Sequence, residues 1–238
     1  RELIAHWESM SESLKRDAAG GLLKLGSVHT CVSGVLPLAL KHMQRMGHRV
    51  DIHLTTGLSH ELEQAVFHRQ LDAAIVTVPD APREELEFFP FIDESLVVIT
   101  HHETAKGTDH EVLEQTPYIR FNRSARVGNL IQQEIVRRGI TVRSVMEIDT
   151  LDGVVAMVAN GLGSSIVPAR QVEGEFATSI RAIPFGNPPV IRRLGVLLPR
   201  SNPRAHLSRF LIDSRRAASV NPTLTQVARV QPRTSRKR

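Results

Sequence analysis

The chain has 238 residues, of which 41% are hydrophobic, so it can bury the core of one large domain or of two modest ones. Its uninterrupted apolar runs are only a few residues long, far below the roughly 20 residues of a membrane-spanning helix, which argues against a membrane partner. The formal net charge is +5, but five basic residues in the last twenty positions account for all of it, so the body of the chain is not a basic nucleic-acid-binding surface.

The two ends and the cysteine content predict where the protein works. Residues 219–238 contain Arg and Lys but no acidic residue, and we expect them to form a basic disordered tail. Cys31 is the only cysteine, so no intramolecular disulfide can form and a cytoplasmic location is expected. The first residues lack the apolar core of a secretory signal and an initiator methionine, which suggests a fragment of a longer protein or a processed product.

Residues 1–18 predict an amphipathic helix that ends at Gly20 and Gly21. Apolar side chains recur in this segment at three- and four-residue steps among charged ones, at Leu3, Trp7, Met10 and Leu14. This stripe is typical of a linker helix or of a helix that pairs with another subunit. Packing on its own domain is the alternative.

From residue 22 the apolar pattern alternates between strand and helix. Residues 73–78 form a nearly continuous apolar run, as in a parallel strand that is buried on both faces. We predict strands at 22–28, 50–54 and 71–78, with helices at 32–46 and 59–69 between them. This alternation predicts a doubly wound α/β domain, whose helices begin at the carboxyl edge of the sheet, where such folds bind ligands.

Two pairs of apolar segments flank the middle of the chain and predict an inserted domain. The first pair, 88–92 and 96–100, is joined by Asp93-Glu94-Ser95, and the second pair is 180–185 and 191–198. Between them we predict strands at 118–121, 144–148 and 164–167 and helices at 124–138 and 150–160. The predicted organisation is a linker helix remnant at 1–19, subdomain I at 20–96 and 186–218, subdomain II at 97–185, and the tail at 219–238. Within subdomain I, a final helix should begin at Pro203.

Signatures of catalysis and of metal binding are missing from the sequence. It has no nucleophile elbow, phosphate-binding loop or zinc-protease helix motif. Gly161 and Gly163 resemble the start of a dinucleotide-binding loop, but they follow a predicted helix and enter a strand, which is the opposite context. The densest histidine group, His101 and His102 beside Glu103, lies on an extended segment where neighbouring side chains point in opposite directions. We expect no enzyme activity, no cofactor and no metal.

Hydroxyl side chains lie at the points where a predicted strand leads into a helix. A helix N-terminus has unpaired N–H groups and a partial positive charge, so several of them at one place can bind a carboxylate or another small anion. Ser and Thr are also common N-caps without any ligand, and this interpretation stays open. Without a second cysteine, Cys31 is expected to be an apolar wall rather than a redox switch. The candidate binding residues are Thr30, Cys31, Ser59, Asn122, Ser124, Asp149 and Thr150.

Four segments together resemble a known family. They are Leu-Lys-Leu-Gly at 23–26 leading to Leu36-Pro37, Leu-Asp-Ala-Ala-Ile at 71–75, Asp-Glu-Ser-Leu-Val-Val-Ile at 93–99, and the run from Met157 to Pro168 with its two glycines. Residues from about 21 to 217 resemble the effector-binding domain of LysR-type bacterial transcriptional regulators. The resemblance implies an α/β fold of the periplasmic-binding-protein-like type 2 class, with two doubly wound subdomains joined by two crossing hinge strands and a small effector held between them.

The resemblance also implies roles for individual residues and partners. The hydroxyls of the family's first two helices fall on Thr30 and Ser59, and the polar residue of the inserted domain falls on Thr150 or Asp149. The effector is expected to be small and anionic, and its binding should rearrange a homodimer or tetramer in which helix 32–46 packs against the final or the second helix of another copy. The family's winged helix-turn-helix is missing here, so DNA would be bound only through that absent domain.

Two other functions remain open at this point. The first is a free-standing solute-binding protein of a transporter, which has the same fold class and needs an export signal. The second is an enzyme on this fold, such as a dehydratase or a deaminase, which needs an acid or base with a perturbed pKa inside the cleft.

Overall fold

A computed structural model describes residues 22–32, 36–37, 40–41, 44, 51–81, 83–104, 106–172 and 176–201. The predicted helices at 1–18 and after Pro203 and the tail at 219–238 lie outside these residues, as does most of the predicted helix at 32–46. Contacts divide the chain into two compact units. Of the described residues, 22–92 and 193–201 belong to unit 1, and Asp93–Arg192 forms unit 2.

Unit 1 is built on a mixed sheet with the strand order β2-β1-β3-β9-β4. Its strands are β1 (Leu22–Ser27), β2 (Asp51–Thr56), β3 (Ala73–Thr77), the first part of β4 (Leu86–His101) and most of β9 (Ile191–Pro199). Strand β1 is parallel to β2 and β3, and β9 is antiparallel to β3. Helices α1 (His29–Val32) and α2 (Ser59–Phe67) follow β1 and β2, and residues 36–37, 40–41 and 44 are also helical.

Strand β3 is buried on both faces, as its continuous apolar sequence predicts. Ala73 and Ile75 face one core cluster, which includes Leu23, Leu25 and Val196. Ala74 and Val76 face the other, in which Leu62 and Val66 of α2 cover the sheet. Period-two alternation along β3 therefore supplies both layers of unit 1.

Unit 2 has its own mixed sheet, in which the strand order is β8-β4-β7-β5-β6. It contains the second part of β4 together with β5 (Pro117–Phe121), β6 (Arg143–Ile148), β7 (Ser164–Pro168) and β8 (Ile180–Pro184). Strand β5 is parallel to β6 and β7, whereas β4 is antiparallel to β7 and β8. The helices of unit 2 are α3 (Asp109–Gln115), α4 (Arg126–Arg137), α5 (Leu151–Ala159) and a 3₁₀ helix at Ala169–Val172.

Two helices of unit 2 end at the glycines that the sequence predicts as caps. Gly139 after α4 has φ 65° and Gly161 after α5 has φ 75°, values that favour glycine. The N–H of Gly161 donates to the carbonyl of Val158 at 3.0 Å, and the N–H of Leu162 donates to that of Met157 at 3.2 Å. These bonds end α5 and turn the chain into β7, so the two glycines around Leu162 have a structural role.

Strand β4 is continuous from Leu86 to His101, so the segments at 88–92 and 96–100 and the residues between them form one strand. Two predicted helix starts are wrong. Helix α4 begins at Arg126 with Ala125 as its N-cap, two residues later than the predicted start at Ser124. Helix α1 begins at His29 rather than at Val32, which places Thr30 inside the helix.

Helix α3 was missed, although the sequence has a signal for it. Thr108 caps the helix by accepting a hydrogen bond from the N–H of Glu111 at 3.2 Å, and the Glu111 carboxylate accepts one from the N–H of Thr108 at 2.8 Å. This reciprocal pair is the capping box of a Thr-x-x-Glu motif. No described helix is long and apolar enough to cross a membrane.

Asp109, the first residue of α3, ties three parts of unit 2 together. Its Oδ2 accepts hydrogen bonds from Arg138 Nη1 at 2.6 Å and from the N–H of Gly186 at 2.8 Å. The Arg138 guanidinium also lies over the Phe185 ring, 5.0 Å from its centroid. Burial raises the pKa of Asp109, but the hydrogen bonds and the charge of Arg138 outweigh this effect, so the pKa lies below its usual value of 3.8.

Asp109→Asn should lower the free energy of unfolding by about 1–3 kcal/mol near neutral pH, because a charged hydrogen-bond acceptor for Arg138 is lost. A carboxylate with a lowered pKa stabilises the fold above its unfolded pKa, and this stabilisation is lost as pH falls through the folded value. The difference from the wild type should therefore shrink below about pH 4 in urea unfolding followed by circular dichroism. The exposed Asp80 supplies the control substitution. A difference that persists unchanged at about pH 3 would contradict this role of the Asp109 charge.

Candidate functional site

The candidate residues of unit 1 follow strands that end at one edge of its sheet. Strand β1 is parallel to β2 and β3, and Ser27 at the end of β1 pairs with Thr56 and with Ile75. The segments after these strands therefore begin side by side at the carboxyl edge. Thr30 and Cys31 follow β1, and Ser59 follows β2.

Ser59 is the first residue of α2 and is only 3% exposed. Its Oγ accepts a hydrogen bond from the N–H of Thr77, the last residue of β3, at 3.3 Å. Leu58 stands at the N-cap, where its N–H donates to the Glu61 carboxylate at 2.9 Å. The Ser59 hydroxyl therefore links the start of α2 to the end of β3 by a hydrogen bond and does not cap the helix. As an acceptor in this bond, it can still donate its own hydrogen.

Thr30 and Cys31 lie in the short helix α1. The Thr30 side chain is half-buried, whereas Cys31 is fully buried and belongs to the core cluster of Leu23 and Leu25. The N–H of Cys31 donates to the carbonyl of Val28 at 3.0 Å. The Cys31 side chain thus packs into the core of unit 1, whereas that of the neighbouring Thr30 is partly exposed.

The candidate residues of unit 2 also share one edge, because β5 and β6 are parallel and Phe121 pairs with Ile148. Asn122 continues from β5, and its N–H donates to the carbonyl of Ile148 at 3.1 Å. Its side-chain Oδ1 accepts a hydrogen bond from the N–H of Ser124 at 2.8 Å, which forms a tight turn before α4. The structure therefore brings Asn122 and Ser124 beside Asp149 and Thr150, which follow β6.

Thr150 is the N-cap of α5. Its side chain accepts a hydrogen bond from the N–H of Gly153 at 3.3 Å, and the residue is exposed. Its ordinary role as a cap is thus fulfilled. An exposed cap hydroxyl still has a hydrogen to donate, and it stands beside the partial positive charge of the helix N-terminus.

An ion pair occupies the β5 and β6 ends of this edge. Arg123 Nε lies 2.8 Å from Glu147 Oε2, and the N–H of Arg123 donates to Glu147 Oε1 at 3.1 Å. The backbone and side-chain hydrogen bonds from Arg123 lower the pKa of Glu147. The charge of Arg123 is therefore neutralised by Glu147. Two exposed carboxylates, Asp149 and Asp152, lie at the start of α5.

A buried charged cluster at the β7 end of the edge was not predicted from the sequence. Arg192 is 2% exposed, and its Nε and Nη2 lie 3.1 and 2.5 Å from Glu94 Oε2. Arg170 in the 3₁₀ helix places its Nε 3.7 Å from Glu94 Oε1. The sequence separation of 98 residues between Glu94 and Arg192 leaves no local signal for this contact.

No metal site is found in the described part of the chain. His101 and His102 pack with ring centroids 4.4 Å apart, but no group of three or more His, Cys, Asp or Glu side chains among the described residues is placed to hold an ion.

Comparison with known proteins identifies the family. The family described as LysR substrate binding domain matches residues 16–218. This chain belongs to the LysR family. Its fold is the periplasmic-binding-protein-like type 2 fold of LysR effector-binding domains, which confirms the predicted fold class.

Curated relatives of this LysR domain are helix-turn-helix transcriptional regulators. The chain is 28% identical over 159 residues to CzcR of Bacillus subtilis and 27% identical over 164 residues to GltR of the same species. Each match covers 67% of this chain and 53% of the relative, so the chain spans about half the length of the curated relatives it matches.

Solved structures share the fold at lower sequence identity. The reduced OxyR regulatory domain from Pseudomonas aeruginosa is 24% identical, with a TM-score of 0.71 and coverage of 84% of this chain and 97% of that one. The effector-binding domain of QuiR in complex with shikimate is 16% identical, with a TM-score of 0.72 and coverage of 83% and 98%.

Proposed function

We propose that this chain is the ligand-sensing domain of a LysR-type transcription regulator and that it binds a small anionic effector. The family match over residues 16–218 carries this proposal. It is supported within each unit by candidate side chains that follow neighbouring strands at one edge of the sheet.

The chemistry of the two edges suits an anion. Helices α4 and α5 of unit 2 begin at the edge at which Asn122, Ser124 and Thr150 lie, so the partial positive charge of each helix N-terminus is located there. In unit 1, Thr30 and Ser59 supply hydroxyl donors, and Cys31 supplies an apolar wall. Asp149 would bind a hydroxyl or another donor of the effector, because its own charge repels an anionic group.

The QuiR domain, which shares the fold, is in complex with shikimate, a hydroxylated carboxylate. A ligand of that chemistry matches the hydroxyl and amide donors of this chain. We propose the same class of ligand here, a small carboxylate that also has polar groups.

Binding would act on transcription through a change of assembly. An effector can shift an equilibrium only if it binds one conformation more tightly than the other. We propose that the effector-bound conformation repacks a homodimer or tetramer and thereby moves DNA-binding domains that lie outside this sequence. DNA as the partner of those domains is supported by the curated relatives, which are HTH-type transcriptional regulators.

A thermal-shift screen of small carboxylates, aromatic acids and sugar acids on the 238-residue chain tests the proposal. A true effector at about 100 times its Kd should add about 2.7 kcal/mol and raise the Tm by about 5–10 °C. Thr150→Ala should weaken the hit about tenfold, because a hydrogen bond to the ligand is lost. It should also lower the unliganded Tm by a few degrees, because α5 loses its cap.

Ser144→Ala is the matched control, since Ser144 is exposed near the opposite, amino end of the same strand β6. Its affinity for the hit should equal that of the wild type. A hit whose affinity is unchanged in both Thr150→Ala and Ser59→Ala would place the ligand elsewhere and contradict the proposed site.

A further inference from the structure

Arg170 lies on the same edge of unit 2 as the candidate binding residues. Strand β7 ends at Pro168, two residues before Arg170, and it runs parallel to β5, which is parallel to β6. Arg170 follows β7, Asn122 follows the adjacent strand β5, and Thr150 follows β6, which is two strands from β7. Neighbouring strands are about 5 Å apart. A ligand about 5–10 Å long can therefore span these positions.

The contacts of Arg170 leave part of its hydrogen-bonding capacity unused. Its side chain is 17% exposed, and its buried Nε has no hydrogen-bond acceptor among the described residues, with Glu94 Oε1 at 3.7 Å. The other carboxylate oxygen of Glu94 receives both contacts from Arg192. One carboxylate thus lies between two guanidinium groups and is held more closely by Arg192.

The charges along this edge are not uniform. Arg123 at the β5 end is paired with Glu147, whereas Asp149 at the β6 end is exposed. The β7 end therefore attracts an anionic group, and the β6 end repels it. A guanidinium also matches a carboxylate with two parallel N–H donors, which a point charge cannot do.

We propose that Arg170 binds the carboxylate of the effector at the β7 end of this edge, with Asn122 and Thr150 binding its polar groups farther along. Glu94 acts as a positioning residue, because its contact orients the Arg170 guanidinium without satisfying it. The inference rests on the proposed function and adds to it the residue that selects a carboxylate over an uncharged analogue.

Isothermal titration calorimetry on the 238-residue chain tests this assignment with paired probes, each a carboxylate and its primary amide: benzoate and benzamide, succinate and succinamide, shikimate and its amide. In the wild type at least one carboxylate should bind about tenfold more tightly than its amide. Arg170→Gln should lower that carboxylate affinity about tenfold or more and leave amide affinity within about twofold. Arg143→Gln, an exposed arginine at the opposite edge, should change neither.

Arg170→Lys keeps the charge but not the two parallel donors, so its carboxylate affinity should lie between those of the wild type and Arg170→Gln. Circular dichroism and unliganded melting show whether each variant is folded, and Arg170→Lys provides the test if Arg170→Gln is not. Equal affinity of carboxylate and amide, no binding by any of the carboxylates, or unchanged carboxylate affinity in the Arg170 variants would overturn the assignment. Loss of a ligand in Thr150→Ala with no effect of the Arg170 substitutions would leave the proposed function standing and remove only this inference.

Discussion

Replacing Glu94 with alanine should lower the free energy of unfolding by about 3–5 kcal/mol, since this substitution leaves a buried charge without its counter-ion. Arg192 is almost completely buried and makes two contacts with Glu94 Oε2. These two residues lie on β4 and β9, close to the points at which each strand passes from one unit into the other. Urea unfolding followed by circular dichroism measures the loss directly.

Two further variants separate this effect from the simple loss of an ion pair. Glu147→Ala breaks the exposed pair with Arg123 and should cost no more than about 1 kcal/mol. Glu94→Leu combined with Arg192→Met removes both charges and should recover most of the stability lost by Glu94→Ala. A cost below about 1 kcal/mol for Glu94→Ala would show that the Arg192 charge is not buried as the structure places it.

Gly128→Ala should lower the free energy of unfolding by about 3 kcal/mol or more, and it should also weaken effector binding. A Cβ added at Gly128 in α4 would lie 2.1 Å from the carbonyl oxygen of Asn122 and 3.1 Å from its carbonyl carbon. Both atoms belong to the backbone, so no side-chain rotation relieves the overlap. Helix α4 or the Asn122 turn must move, and Asn122 is one of the candidate binding residues.

One control for Gly128→Ala lies on α4, and the other lies just after its end. Asn129→Ala changes the adjacent, exposed position and should be nearly neutral. Gly139→Ala meets no atom within 4 Å but places alanine at φ 65°, so it should cost only about 1–2 kcal/mol. If Gly128→Ala were as stable as Asn129→Ala and kept its affinity for the ligand, α4 could not pack as closely on the Asn122 carbonyl as described.

The elements that the sequence predicts well are those whose signals are local. Continuous apolar runs such as 73–78 identify strands buried on both faces, and Gly139 and Gly161 mark helix ends because they adopt positive φ. The polar residues 93–95 lie between two apolar segments, and the sequence gives no local sign of their surroundings. Glu94 is buried against Arg192, so one strand continues through all three residues.

In the candidate site, too, the features with local signals were predictable from the sequence and the non-local contacts were not. Residues that follow parallel strands can be assigned to one edge from the chain order alone, and this reasoning brings Asn122 beside Thr150. The contact of Ser59 with Thr77 and the approach of Arg170 to Glu94 depend on the packing of distant segments. Helix α3 could have been predicted, because Thr108 and Glu111 have the spacing of a capping box.

Amide chemical-shift changes in the isotopically labelled 238-residue chain, titrated with a stabilising carboxylate, would locate the bound ligand directly. We expect the largest changes at residues 30–31, 58–61, 122–126, 149–153 and 170, at the carboxyl edges of the two sheets. Changes confined to the opposite edge, such as residues 143–145 of β6, with none at 122–126 and 149–153, would contradict an effector site built from these strand ends.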